Sequence, residues 1–311
     1  MRRLPADPIM KHNQVCKLLG IRYPILQGGM LWLAGAELAV SVSNAGGLGI
    51  LSPYAGMDED ADPRENLHLQ IRQTGKLTDK PFGINIPLDL PTSGLLIDTA
   101  LRENVKIVVT AAGSPRLFTE VLHSAGILVL HVVSSVSQAR SAESCHVDAI
   151  IAEGFEAAGR IGRSEMSLFS LIPQVAGAVS VPLIAAGGIV DGKGIAAAMA
   201  LGADGVQLGT RFVASEECLA HPNYKRAIVE AGDSDTIVMR DGLIPVRVLK
   251  SGFSTGNLRQ STGRSRSRRA QIEGDLAEGD AYAGSSAGLI KEILPAAVIV
   301  ENLMRTSKIE L

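Results

Sequence analysis

Aromatic side chains are scarce in this 311-residue chain, at 4% with a single tryptophan. A core must therefore be built from the Ala, Val, Ile and Leu that dominate its 46% hydrophobic content. Cysteine is nearly absent. The three present, Cys16, Cys145 and Cys218, lie far apart and give no disulfide framework and no CxxC pair. They point to a reducing, cytoplasmic setting. A net charge of −2 gives no strong attraction to nucleic acid or to an anionic membrane. No apolar run is long enough to span a bilayer. The leader MRRLPADPIM has arginines but not the apolar stretch of a signal peptide.

Glycine is plentiful, at 33 residues, and its placement is informative. From Val181 to Phe212 the chain reads VPLIAAGGIVDGKGIAAAMALGADGVQLGTRF: an apolar run to Ala186, a break at Gly187 and Gly188, an Ala-rich helix after Asp191, and a second apolar run closed by Gly209 and Thr210. Glycine lets a ligand approach the backbone N–H groups closely and adopts dihedrals that other residues avoid. One such turn reads simply as a tight turn. Two neighbouring strand ends that both stop at glycine, the second followed by a hydroxyl, read as a phosphate cradle, which in a (β/α)8 barrel sits after strands seven and eight.

The rest of the chain supplies the other strands. Runs at Pro24–Gly29, Gly47–Leu51, Phe82–Ile86, Val105–Ala111, Ile127–Val133 and Asp148–Ala152 precede the two already named, each pair separated by a helix-length segment. They are apolar on both faces, as buried parallel strands are. Regular alternation with eight strands predicts an α/β fold of the (β/α)8 TIM-barrel class. The competing dinucleotide-binding sheet lacks a GxGxxG after strand one, where Gln27-Gly28-Gly29-Met30 has the wrong spacing. Residues 1–214 are expected to form the barrel, 215–283 an irregular insertion over its active-site face, and 284–311 a helix returning to it. Arg259 to Arg269 holds five arginines without aromatics and reads as a solvated, mobile loop rather than a nucleic-acid contact.

Six motifs in order carry a family resemblance: Gln-Gly-Gly-Met at 27–30, Asn-Ala-Gly-Gly-Leu-Gly at 44–49, Gly-Ile-Asn-Ile at 83–86, Glu-Gly-Phe-Glu-Ala-Ala-Gly at 153–159, Ala-Ala-Gly-Gly-Ile at 185–189 and Gln-Leu-Gly-Thr-Arg-Phe at 207–212. The chain resembles the FMN-dependent nitronate monooxygenases, once called 2-nitropropane dioxygenases. That family includes the flavin-dependent type II enoyl-acyl-carrier-protein reductases. The similarity covers about residues 13 to 230 and resumes weakly at 275 to 305. It implies FMN at the carboxyl face of the barrel. Gly187, Gly188, Gly209 and Thr210 would hold its phosphate, with Gln207 opening that loop. Asn85 would bond the ring or ribityl chain, Gly29 and Met30 would touch the isoalloxazine, and Glu153 and Gly159 would belong to the loop passing over it. The resemblance also implies a small-molecule substrate, either a nitronate or an enoyl thioester, with O2 or NAD(P)H as co-substrate, and leaves room for a homodimer.

One position departs from the family. Where it places a histidine after the small-residue pair of the strand-six loop, this chain has Arg160. Histidine exchanges a proton near neutral pH, whereas arginine keeps its charge and has no acceptor nitrogen. Arg160 is therefore read as an anion clamp, suited to a nitronate or carboxylate, and not as a base. Activity on neutral nitroalkanes should accordingly be far weaker than on nitronates. A plain alternative pairs Arg160 with Glu156 or Glu165, and Arg163 is a second candidate for either role. His131 reads as a buried structural histidine. Three other functions stand beside nitronate oxidation: NAD(P)H-dependent enoyl reduction, a flavin-binding barrel with impaired turnover, and an aldolase- or isomerase-type barrel for a sugar phosphate.

Overall fold

In the computed structural model, which describes residues 13–240, 244–251 and 264–308, the short apolar runs become strands because each can be buried on both faces at once. In chain order they are β1 (Ile25–Gln27), β2 (Gly49–Leu51), β3 (Phe82–Pro87), β4 (Ile107–Ala111), β5 (Leu128–Val133), β6 (Ala149–Glu153), β7 (Gly159–Arg160), β8 (Leu183–Ala186), β9 (Gly205–Leu208), β10 (Thr236–Met239) and β11 (Val246–Leu249). Eight of them form one parallel sheet in the order β1-β9-β8-β6-β5-β4-β3-β2. It closes on itself through a parallel bridge from Leu26 to Leu48, so the fold is a (β/α)8 TIM barrel.

Strand alternation divides the core in two. Leu26, Ile50, Val109, Leu130, Ile151 and Ala186 fill the barrel interior, while Ile84, Val108, Val129, Ile150 and Val206 face the surrounding helices. Asn85, Glu153 and Gln207 share the parity of the interior set and project toward the axis at the carboxyl end.

The remaining strands form a small sheet in the order β10-β11-β7, both pairs antiparallel. Arg247 on β11 fastens it to the loop after β6 by donating to the Phe155 carbonyl (Nη2, 3.0 Å). Within the segment expected to be an irregular insertion, 215–283, Val246–Leu249 is a strand and a helix runs from Arg264 to Gln271. The mobile-loop reading fails there for a physical reason, while Arg259 to 263 lies outside the described residues. Arg266 pairs with Asp280 (2.9 Å), Arg268 with Asp58 (2.9 Å) and Arg269 with Glu278 (2.8 Å), so these three charges are answered within the molecule.

The helix Ala296–Ser307 packs against the helices Gly192–Ala200 and Ala36–Asn44. A Cβ at Gly192 would lie 2.3 Å from the Ser307 nitrogen, so the two backbones touch. No described helix is long and apolar enough to cross a membrane.

Candidate active site

The carboxyl ends of the barrel strands open into one cavity of about 1180 Å³. Every residue to which the sequence gives a site role lines it: Gly29, Met30, Asn85, Glu153, Gly159, Arg160, Gly187, Gly188, Gln207, Gly209 and Thr210. Residues 244, 246, 271, 282, 284 and 286 of the later segment line it too.

On the side of β8 and β9 the cavity wall is main chain. Gly187 and Gly188 have φ of +95° and +76°, the left-handed region that side chains rarely adopt. The N–H groups of Gly187, Gly188 and Gly209 have no hydrogen-bond partner among the described residues. A Cβ built at Gly209 would meet only Met30 Sδ, at 4.0 Å, so a side chain there would occupy open cavity. Donors without partners around space that a side chain would fill suit an anionic oxygen group. Thr210 joins this wall with its oxygen already committed, accepting from Gly284 N at 3.0 Å and leaving its O–H to donate.

The floor is formed by inward side chains. In register across the strands run Glu153, Ala186, Gln207 and Leu26, so small Ala186 separates the carboxyl from the amide. Gln207 lies against Gly28, its Cδ 3.2 Å from where a Cβ would be, and its Oε1 is buried without a partner. Asn85 lies across Gly29, where a Cβ would be 2.4 Å from the Asn85 Cβ. Gly29 is therefore required by the placement of Asn85.

The opposite wall carries charge. Arg160 stands at the end of β7, after Gly159, whose φ of +68° turns the chain beneath the Tyr282 ring. Its Nη2 donates to Asp89 Oδ2 at 2.5 Å. The alternative that paired Arg160 with Glu156 or Glu165 is corrected by this contact. Glu156 is taken up by the Leu168 N–H (2.9 Å) and Glu165 by Arg240 (2.9 Å). Asp89, from the loop after β3, is the residue that the sequence did not bring forward.

Two groups in the wall are shifted by burial. The Glu153 carboxyl is pushed up to about 7 because burial disfavours its charge. His131 is drawn down to about 4 by burial, with Nδ1 2.7 Å from Thr110 Oγ1, and so stays neutral. Its parity with Thr110 turns it away from the barrel axis, opposite to Glu153. The structural reading of His131 agrees with this geometry.

Comparison with known proteins adds the lineage. The chain is 42% identical to FabK from Thermotoga maritima over 96% of both chains, with a TM-score of 0.88. It is 37% identical to the (3aS,4S,5R,7aS)-5-hydroxy-7a-methyl-1-oxo-octahydro-1H-indene-4-carboxyl-CoA dehydrogenase of Rhodococcus jostii, over 78% of this chain and 68% of that protein. A probable nitronate monooxygenase of Staphylococcus aureus is 30% identical over 85% of this chain and 82% of its own length. The nitronate monooxygenase family model matches residues 12–96 and 94–306. With that match, and with five of the six sequence motifs represented in the lining of one cavity while the sixth, at 44–49, leads into β2, the chain belongs to the nitronate monooxygenase family of oxidoreductases.

Proposed function

We propose that the protein is an FMN-dependent oxidoreductase of the nitronate monooxygenase type that oxidises alkyl nitronates with O2. The observation that carries this reading is the wall at β8 and β9, with N–H donors at Gly187, Gly188 and Gly209 around open space and the buried, unpartnered Gln207 Oε1 beside it. These residues fit FMN. The glycines and Thr210 would take its phosphate, while Asn85, Gln207, Gly29 and Met30 would border its ring system. Bound there, FMN supplies the electron acceptance from substrate and the delivery to O2 that no side chain can provide. Arg160 presents a guanidinium to the nitronate oxygens.

A second reading is NAD(P)H-dependent reduction of an enoyl thioester carried by an acyl-carrier protein. Two observations favour it. A cavity of about 1180 Å³ exceeds the roughly 300–1,000 Å³ that holds one drug-sized ligand, leaving room for a cofactor and a long acyl group. The Rhodococcus relative is named for a CoA ester.

An absorption spectrum of the purified protein tests the shared part, since a colourless preparation that takes up no FMN overturns both readings. Aerobic consumption of a nitronate without pyridine nucleotide selects the first. Flavin reduction by NADH, with loss of a crotonyl thioester, selects the second.

A further inference from the structure

With Arg160 in place of a histidine, the cavity lacks the expected proton acceptor, and its other ionisable groups can be taken in turn. Arg160 and Arg163 carry guanidinium groups, which have donors and no acceptor nitrogen. Tyr224 and Tyr282 are raised above the ordinary phenol by burial, and Tyr54 pairs its hydroxyl with Thr92 Oγ1 at 3.3 Å. His131, on the neighbouring β5, reaches the cavity wall with its ring already engaged by Thr110 and by the Gly113 backbone. Glu153 remains. It ends β6 pointing inward, in register with uncharged Ala186 on β8 and Gln207 on β9, and β5 presents apolar Val132 on that face. Among the described residues its carboxyl has neither a hydrogen bond nor an ion pair, whereas Glu156 in the loop beyond is engaged by Leu168.

We propose that Glu153 is the base that removes the α-proton of a neutral nitroalkane, doing in this chain what Arg160 cannot. The carboxylate takes the proton from the carbon bearing the nitro group, and the C–H electron pair passes onto that group. The product is the nitronate, formed without change of oxidation state, and Glu153 returns the proton to water before the next turnover. The inference rests on the flavin oxidoreductase reading above and extends its substrates to the protonated form, at a rate below that of the free nitronate.

The test compares nitroethane with pre-ionised ethyl nitronate in the FMN-loaded protein. In Glu153→Gln, with rates taken per bound FMN, turnover of nitroethane should fall about 100-fold more than that of the nitronate, which has no proton to lose. FMN content of each preparation is read from the flavin absorption. In the wild-type protein the nitroethane rate should climb with pH through about 7, where the carboxyl ionises, and the nitronate rate should not. That profile needs no variant, so poor folding of Glu153→Gln leaves the proposal testable. Equal loss on both substrates, or a flat wild-type nitroethane profile, overturns it. Oxidation of the nitronate with no nitroethane activity at any pH also defeats it while sparing the flavin reading, whereas absence of bound FMN defeats that reading first.

Discussion

The two sides of the barrel mouth are built from different material. On the side of β8 and β9 the wall is backbone, with left-handed Gly187 and Gly188, open space at Gly209, and N–H groups without partners. Around β3, β5, β6 and β7 it is side chains whose character depends on their neighbours: Arg160 held by Asp89, Glu153 raised by burial, His131 tied to Thr110. A backbone site is encoded locally, by the residue that permits the conformation. A side-chain site is encoded by encounters between distant parts of the chain.

The largest expected effect breaks the first wall without touching the second. Gly209→Val adds bulk where a Cβ meets only Met30 Sδ at 4.0 Å, so the fold should be unchanged within about 0.5 kcal/mol. FMN affinity should nevertheless fall by about 100-fold, roughly 2.8 kcal/mol, because the added methyls occupy the space beside the free N–H groups. A flavin fluorescence titration together with a urea melt separates the two quantities. FMN binding that survives the substitution would remove the cradle from this wall.

That asymmetry also marks what could be read in advance. All eight barrel strands were legible to within about two residues, because each is a short run buried on both faces and stopped by glycine, proline or a polar residue. The convergence of the named residues on one cavity followed from their shared place at strand ends. Asp89 was not legible, since it meets Arg160 across 71 residues and carries no motif. The small sheet was hidden because β7 is only two residues long and pairs with a strand at Val246–Leu249. The helix Arg264–Gln271 was mistaken for a loop because a run rich in like charges suggests repulsion. The acids downstream at Asp275, Glu278 and Asp280 were the signal that the charge is answered within the chain.

The second prediction contrasts two faces of the same wall. His131 is lowered from 6.5 to about 4, so between those values the unfolded chain binds more protons, and stability rises with pH until it is fully present above about 6.5. Glu153 is raised from 4.5 to about 7, so the folded chain binds more protons in that window. Its contribution is fully present below about 4.5 and is lost as pH rises through 7. Each effect is on the order of 3 kcal/mol at about 1.4 kcal/mol per pKa unit, and the two oppose one another between about pH 4.5 and 6.5. Urea unfolding of the FMN-free protein should therefore be nearly flat across that window. Glu153→Gln should uncover a stability that rises with pH, and His131→Asn one that falls. Parallel slopes in the two variants would mean that burial does not set both groups.

The smallest effect concerns Asp89, and it decides what that residue does for Arg160. The side chains of the pair are 41% and 34% exposed, so water already screens much of their attraction, and such pairs contribute about 0.2–1 kcal/mol. An anionic substrate that docks on Arg160 competes with the Asp89 carboxylate for the same N–H groups. Asp89→Asn keeps the shape and removes the charge, so the KM for a nitronate should fall about two- to fivefold with kcat unchanged, as for binding shared equally by ground and transition states. The gain should shrink as salt is raised, since added ions weaken the attraction between a half-exposed guanidinium and an anion. If KM instead rises and kcat drops, Asp89 aims the guanidinium rather than competing for it. The charged wall would then resemble the backbone wall in being preorganised before any ligand arrives.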